Sequence, residues 1–261
     1  MRTFLKIICP IILVLFFVQS LPAYDASKHQ AGAKGKKGGG HHGYGRPKGP
    51  PADIPKHITH RTSEDGTMVN LNNSQVGIKG ILFMAESPAH KNLTTMALKG
   101  NLLGDDGVKI LAESENFKYL ERLSLWENKI TDEGVKMIAA SPNFAQLKEL
   151  SLMKNEVGDA GVIALLQSPN LKHITHLDLS RNHIGDAGAI AIANSPHLTH
   201  LTRLDLYSNK IGPEGIRALT QSKGLPNLEY LDLTSNAIDI DSAMAVHKEQ
   251  KLPKLKILIV Q

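Results

Sequence analysis

The sequence predicts an α/β solenoid, a coil of strand–turn–helix units with a parallel sheet along one side. Three observations predict it. Val69, Met96, Leu123, Leu150, Leu177, Leu204, Leu231 and Leu258 recur at one fixed interval without slippage, and an interval of this length is typical of stacked repeat units. A second apolar residue follows two positions on in every unit, at Leu71, Leu98, Leu125, Leu152, Leu179, Leu206, Leu233 and Val260; this is the spacing of a strand with one buried face. Further along each unit lies an apolar pair at helical spacing: Val108 and Leu111, Val135 and Ile138, Val162 and Leu165, Ala189 and Ile192, Ile216 and Leu219.

The first element precedes the repeats. Arg2 and Lys6 stand before an apolar run from Ile7 to Val18, and a small-residue boundary follows at Ser20 or Ala23. That is the layout of a secretory signal peptide over residues 1–23. The run is 12 residues long, against the roughly 20 that a spanning helix needs. A cleaved leader and a secreted or periplasmic mature chain without a transmembrane segment are therefore expected. Cys9, the only cysteine, lies inside the run, so the mature chain is expected to be held by its core without disulfides.

The second element is the stretch 24–56, with eight glycines, four prolines and the cations Lys28, Lys34, Lys36, Lys37, Arg46, Lys48 and Lys56 against Asp25 and Asp53. It has too little apolar surface to offset its ordering entropy, and a disordered basic tail is expected. Of the 30 basic and 25 acidic residues, nine and two precede residue 57, which leaves 21 and 23 in 57–261. The basic balance thus belongs to the leader and tail. Two readings of the tail stand: a solvated linker, or a weak contact with polyanions or anionic surfaces through residues 28–56. His41 and His42 are too few ligands for a stable metal site, and neither metal nor cofactor is expected.

The third element is the repeat domain, 57–261, with seven repeats from residue 69 and a strand stub at Leu258, Ile259 and Val260. A polar column runs through it at Asn101, Asn128, Asn155, Asn182, Asn209 and Asn236, with Ser74 in its first place. An apolar column follows at Val76, Leu103, Ile130, Val157, Ile184, Ile211 and Ile238. Thr131, Asp132, Glu133 and Gly134 are good helix-starting chemistry, with acids at the positive end of the helix dipole. Gly80, Gly107, Gly134, Gly161, Gly188 and Gly215 share one position and are read as permitting close packing between helices. Ser87-Pro88, Ser141-Pro142, Ser168-Pro169 and Ser195-Pro196 end helices, because proline cannot continue the turn.

The pattern LxLxxNxI, best formed in LTRLDLYSNKIGPEGIRAL from Leu201, resembles the leucine-rich repeat, and its length is similar to that of the ribonuclease-inhibitor-like subfamily. The resemblance implies a right-handed horseshoe with the parallel sheet on the concave face and helices on the convex face. It also implies that the asparagine column is a ladder whose side chains bond loop backbone groups. The chain lacks the cysteine-rich end caps usual in animal extracellular repeat proteins, which points to a bacterial exported member. Stability is collective in such a stack and its ends are the weak points. The eighth strand, with no capping helix after it, is expected to fray first or to form a homo-contact.

Function is expected to lie in the outward strand positions, which the repeat leaves open. One outward column reads Asn72, Lys99, Trp126, Met153, Ser180, Tyr207, Thr234; a second reads Asn70, Ala97, Ser124, Ser151, Asp178, Asp205, Asp232; a third reads Thr95, Arg122, Glu149, His176, Arg203, Tyr230. Aromatic, Met and Arg side chains are the usual anchors of interfaces. Trp126, Met153, Tyr207, Arg203 and Tyr230, with the acidic row Asp178, Asp205 and Asp232, are therefore the candidate partner-binding residues. The row sets like charges on adjacent strands, to be neutralised by Arg181 and Arg203 or by a cationic partner. Catalysis is not expected: GxSxG, HExxH and phosphate-loop motifs are missing, and a mature chain without cysteine excludes thiol-dependent ubiquitin ligation. The reading is an exported protein-binding module; the alternatives are an envelope or matrix component held by the basic tail and an inhibitor of a secreted enzyme.

Overall fold

A computed structural model describes residues 49–260; the expected leader and all of the tail before residue 49, with His41 and His42, lie outside the described residues. Helix α1 (Ile54–Arg61) starts three residues before the boundary expected at residue 57. Asp53 caps it by accepting from the Lys56 amide at 2.9 Å, and Pro55 sits in its first turn, where the missing amide proton costs no helical bond. Ile58 of α1 is fully buried.

Eight three-residue strands follow: β1 (Met68–Asn70), β2 (Thr95–Ala97), β3 (Arg122–Ser124), β4 (Glu149–Ser151), β5 (His176–Asp178), β6 (Arg203–Asp205), β7 (Tyr230–Asp232) and β8 (Ile257–Ile259). They form one parallel sheet in chain order. Its register is the sequence period, with Leu123 beside Leu150 and Leu177 beside Leu204. Pairing runs one residue beyond each strand, as in Leu125 N–H to Ser151 O at 2.8 Å and Leu152 N–H to Asp178 O at 2.8 Å. The intervening helices are α2 (Gly77–Glu86), α3 (Gly104–Glu113), α4 (Asp132–Ala140), α5 (Asp159–Gln167), α6 (Asp186–Ala193), α7 (Pro213–Thr220) and α8 (Ile240–Glu249). Each repeat is therefore one βα unit, and the two inward leucine columns and the helix pairs are buried together in one continuous core. No helix among the described residues is long and apolar enough to cross a membrane.

What stops each strand after three residues is a turn before the asparagine. Glu127, Lys154, Arg181, Ser208 and Ser235 all take positive φ, between 54° and 59°, a left-handed conformation that ordinary side chains adopt only when the surroundings impose it. The asparagines that follow bond the backbone on both sides of this turn, which Asn73, before Ser74, also takes at φ 56°. Asn155 donates to Leu125 O at 3.0 Å and Leu152 O at 2.8 Å, while its Oδ1 accepts from the amides of Asn128 and Ile130, each at 3.0 Å. Asn101, Asn128, Asn182, Asn209 and Asn236 make the equivalent bonds to carbonyls one repeat back. Each amide side chain thus satisfies backbone groups that burial would otherwise strand.

A second ladder runs along the helix side. Asp105, Asp132, Asp159 and Asp186 reach forward into the next repeat: Asp159 Oδ1 accepts from Gly185 N–H at 2.7 Å and Gly188 N–H at 2.9 Å, and Asp186 Oδ1 accepts from Gly212 and Gly215 at 2.7 and 2.8 Å. This refines the reading of the glycine column. A Cβ on Gly188 would lie 2.6 Å from the Asp159 carboxylate, and one on Gly215 as close to Asp186. These two glycines are bare so that the preceding aspartate can reach the helix start. Serines tie the other helix end: Ser141 Oγ donates to Ala112 O at 2.6 Å, and Ser168 to Ala139 O.

Candidate functional site

The outward side chains stand on a scaffold that both ladders hold rigid. Trp126 is half-buried just past β3. The Lys99 ammonium, one repeat back in the same column, sits 3.2 Å from its ring centroid, a cation–π contact. Its indole N–H is buried without a hydrogen-bond partner, so packing and Lys99 set the ring, not a polar tether. Met153 is half-buried one turn further. Ser180 then interrupts the column: it is buried and donates to Asp178 Oδ1 at 2.6 Å. Tyr207 stands beyond it with the Arg181 guanidinium 5.4 Å from its ring. The structure therefore brings Trp126 and Met153 together and leaves Tyr207 apart from them.

The neighbouring group is tighter. Arg203 lies 3.7 Å from the ring of Tyr230, and the Tyr230 hydroxyl donates to Asp232 at 3.3 Å. Asp178, Asp205 and Asp232 stand side by side in the parallel register. Their surroundings differ. Asp178 accepts from Ser180 N–H, Ser180 Oγ and Ser151 Oγ at 3.0, 2.6 and 3.0 Å. Asp232 accepts from Thr234 N–H and Oγ1 at 2.9 and 2.6 Å, besides Tyr230. Asp205, in the middle, accepts from the Tyr207 amide at 3.1 Å. Burial, then the charge of Asp178, push its carboxyl up to about 6, with Asp232 adding to the rise and the Tyr207 amide and Arg203 opposing it. Tyr230 is pushed up to about 12, first by burial and then by Asp232.

Arg181 thus places its charge over Tyr207, and Arg203 neutralises Asp205 only in part. Ion pairs one repeat apart flank the face: Lys148–Glu121 at 2.8 Å, Lys154–Glu127 at 2.6 Å and Lys256–Glu229 at 2.8 Å. Sequence reasoning missed Lys99 as the cover of Trp126, and the hydroxyls of Ser151, Ser180 and Thr234 as partners of the acids. Counting back one repeat from Trp126 finds Lys99; nothing in the sequence says that its ammonium folds over the ring. Among the described residues no cluster of three or more histidine or acidic side chains is placed to hold a metal ion.

The leucine-rich-repeat family model matches five stretches, residues 118–139, 146–166, 170–193, 197–219 and 224–246. Among solved structures, the chain is similar to a leucine-rich-repeat protein of Leptospira interrogans, at 27% identity and a TM-score of 0.39 over 65% of this chain and 38% of that one. An internalin of Listeria monocytogenes is 23% identical with a TM-score of 0.39, over 66% of this chain and 56% of that one. A chain of the yeast Rad7–Elc1 complex is 18% identical with a TM-score of 0.50, over 74% and 49%; that likeness is one of fold. The chain spans between 38 and 56% of the length of these three. No curated protein matches it. The repeating units stack as an α/β solenoid of leucine-rich-repeat type, five stretches of which the family model matches.

Proposed function

We propose that this chain is an exported protein-binding module that holds a macromolecular partner on its concave face and carries no catalytic centre. The observation that supports it is the run of aromatic rings on that face, each with a cation over it: Lys99 on Trp126, Arg181 on Tyr207 and Arg203 on Tyr230. Rings and guanidinium groups held in place lose little side-chain entropy when a partner covers them, which is why such residues dominate interface energies. Eight strands about 4.8 Å apart make a sheet roughly 34 Å long, sufficient for the roughly 800 Å² per partner of a standard interface. The acidic row beside the rings favours a partner with cationic side chains.

Affinity capture from the native environment supplies the partner, and alanine at Trp126 or Tyr207 should then weaken binding by about 2 kcal/mol or more each. Neither side chain belongs to the inward columns, so thermal melting should barely move. Leu125→Ala, which removes a fully buried core side chain, should instead cost about 3 kcal/mol of stability. Full binding by both aromatic variants, with loss on mutation of the helix face, would overturn the concave-face assignment. The export part rests on residues 1–23. Intact mass should show a mature chain beginning at Leu21 or Tyr24, and a full-length membrane-extracted species would refute it. A second reading, attachment to anionic surfaces, rests on the cations of residues 28–56; such attachment should weaken steeply with salt, whereas concave-face binding should not.

A further inference from the structure

The first unit is built differently from the repeats that follow. One core column, placed just after each helix, reads His90, Phe117, Phe144, Leu171, Leu198, Leu225 and Leu252, all buried. An imidazole therefore occupies a place that the other six units fill with hydrocarbon. His90 is 3% exposed, its Nδ1 has no hydrogen-bond partner, and its nearest ring is Phe83, edge-on at 5.7 Å. A second histidine closes the asparagine ladder. Where the other repeats carry asparagine, the first has Ser74, and its hydroxyl meets His57 Nε2 of α1 at 3.0 Å. The aspartate ladder is missing here too, because Ile78 stands where Asp105, Asp132, Asp159 and Asp186 stand later.

We propose that the N-terminal cap, α1 with the first repeat, is a proton-operated element: mild acid opens it while the remaining solenoid stays folded. Both histidines must be neutral for the cap to close. A charged imidazole at position 90 would be buried among apolar groups without a counter-ion, and a charged His57 would sit beside other cations. The charged groups around them do not compensate. On its own helix His57 has Lys56, His60 and Arg61, and the Asp53 carboxylate at the N-cap is held by the Lys56 amide. In the loop that follows, Glu64 stands beside Asp65, whose carboxylate is taken up by Ser63 and Thr67; α2, which packs on α1, carries Lys79 and Glu86, and β1 carries none. His90 has Lys91 beside it, Lys79 and exposed Glu86 on α2, and exposed Glu115 on the short helix Glu115–Phe117. His90 is held below the ordinary histidine value by burial alone, and His57 by burial first and then by Arg61 and His60. The open cap therefore binds protons more readily than the closed one below about pH 6.5, and closure weakens as pH falls from there.

The test is hydrogen exchange read by mass spectrometry on the full mature chain at pH 7.5 and 5.5, corrected for intrinsic exchange rates. Residues 122–167, which hold no histidine, serve as the internal reference. A group with an ordinary value near 6.5 in the open state and a lower one in the closed state favours opening by up to about tenfold at pH 5.5. Peptides covering residues 54–90 should therefore lose several-fold of their protection relative to the reference, with about tenfold per histidine as the ceiling. The double variant His57→Gln with His90→Phe keeps a polar partner for Ser74 and places at 90 the residue found at 117 and 144; it should abolish the difference. His90→Leu, the residue at 171 and 198, repeats the test should phenylalanine crowd the site. Acid loss spread evenly over the solenoid, or an unchanged acid response in the variants, would overturn the proposal.

Discussion

The central repeats and the first unit use one backbone plan with different fastenings. In the central repeats each turn is stitched to the next three times. Asn155 and its equivalents bond the loop carbonyls and amides, Asp159 and its equivalents bond the next helix start, and loop backbones pair directly, as in His183 N–H to Val157 O at 2.8 Å and Lys210 N–H to Ile184 O at 2.8 Å. The first unit has Ser74 and His57 in place of the asparagine and Ile78 in place of the aspartate. Its loop also differs from those of the central repeats, with Gln75 at φ 53° and Gly77 at φ 55°, a path the second repeat shares at Leu102 and Gly104. In a linear stack stability is a sum over neighbouring interfaces. The fewer polar ties of the first unit are the ground for the acid opening proposed there, beside the fraying expected at the eighth strand. What differs along the solenoid is how many polar groups each junction satisfies; the apolar core runs through all of it.

Removing one rung should break the comparison most visibly. Asn155→Ala leaves several buried backbone groups without partners at once, each costing about 1–3 kcal/mol, so a loss of roughly 4 kcal/mol is expected in chemical denaturation. Ser74→Ala in the first unit removes one hydroxyl and should cost about 1 kcal/mol; equal losses would mean that the ladder counts no more in the centre than at the end. Next comes the helix side. Asp159→Ala removes the acceptor of the Gly185 and Gly188 amides and should cost about 1–2 kcal/mol, in the range of a lost helix cap.

The smallest effect concerns pH, and it runs opposite to that of the cap. Asp205 is pushed up to about 6 from an ordinary value of 3.8, so the folded chain binds that proton more tightly than the unfolded one. This group's penalty is present above pH 6 and is relieved as pH falls from about 6 towards 3.8. Asp205→Asn keeps an acceptor for the Tyr207 amide and removes the in-register repulsion. It should add about 1 kcal/mol or less at pH 8 and nothing near pH 4, measured by paired thermal melts. A gain that persists at pH 4 would show that the carboxylate charge is not the cause.

The sequence by itself determined the fold class and the sheet register, because one fixed period repeated without slippage admits only one way of stacking Leu123, Leu150 and Leu177 on neighbouring strands. It also determined which columns face the core and which face outward, since alternation along a strand allows no other arrangement. Tertiary structure decided the rest. That Asp159, in the first turn of its own helix, also serves the next repeat's amides depends on how far consecutive turns are rotated and offset, which local spacing does not encode. That Lys99 covers Trp126 depends on side-chain rotamers chosen by packing, whereas the gap between Met153 and Tyr207 was legible as Ser180 between them in the column. The position of His90 was written in the sequence, one repeat before Phe117, yet its meaning required the fold: only burial without a partner turns an ordinary histidine into one that must stay neutral for the cap to close.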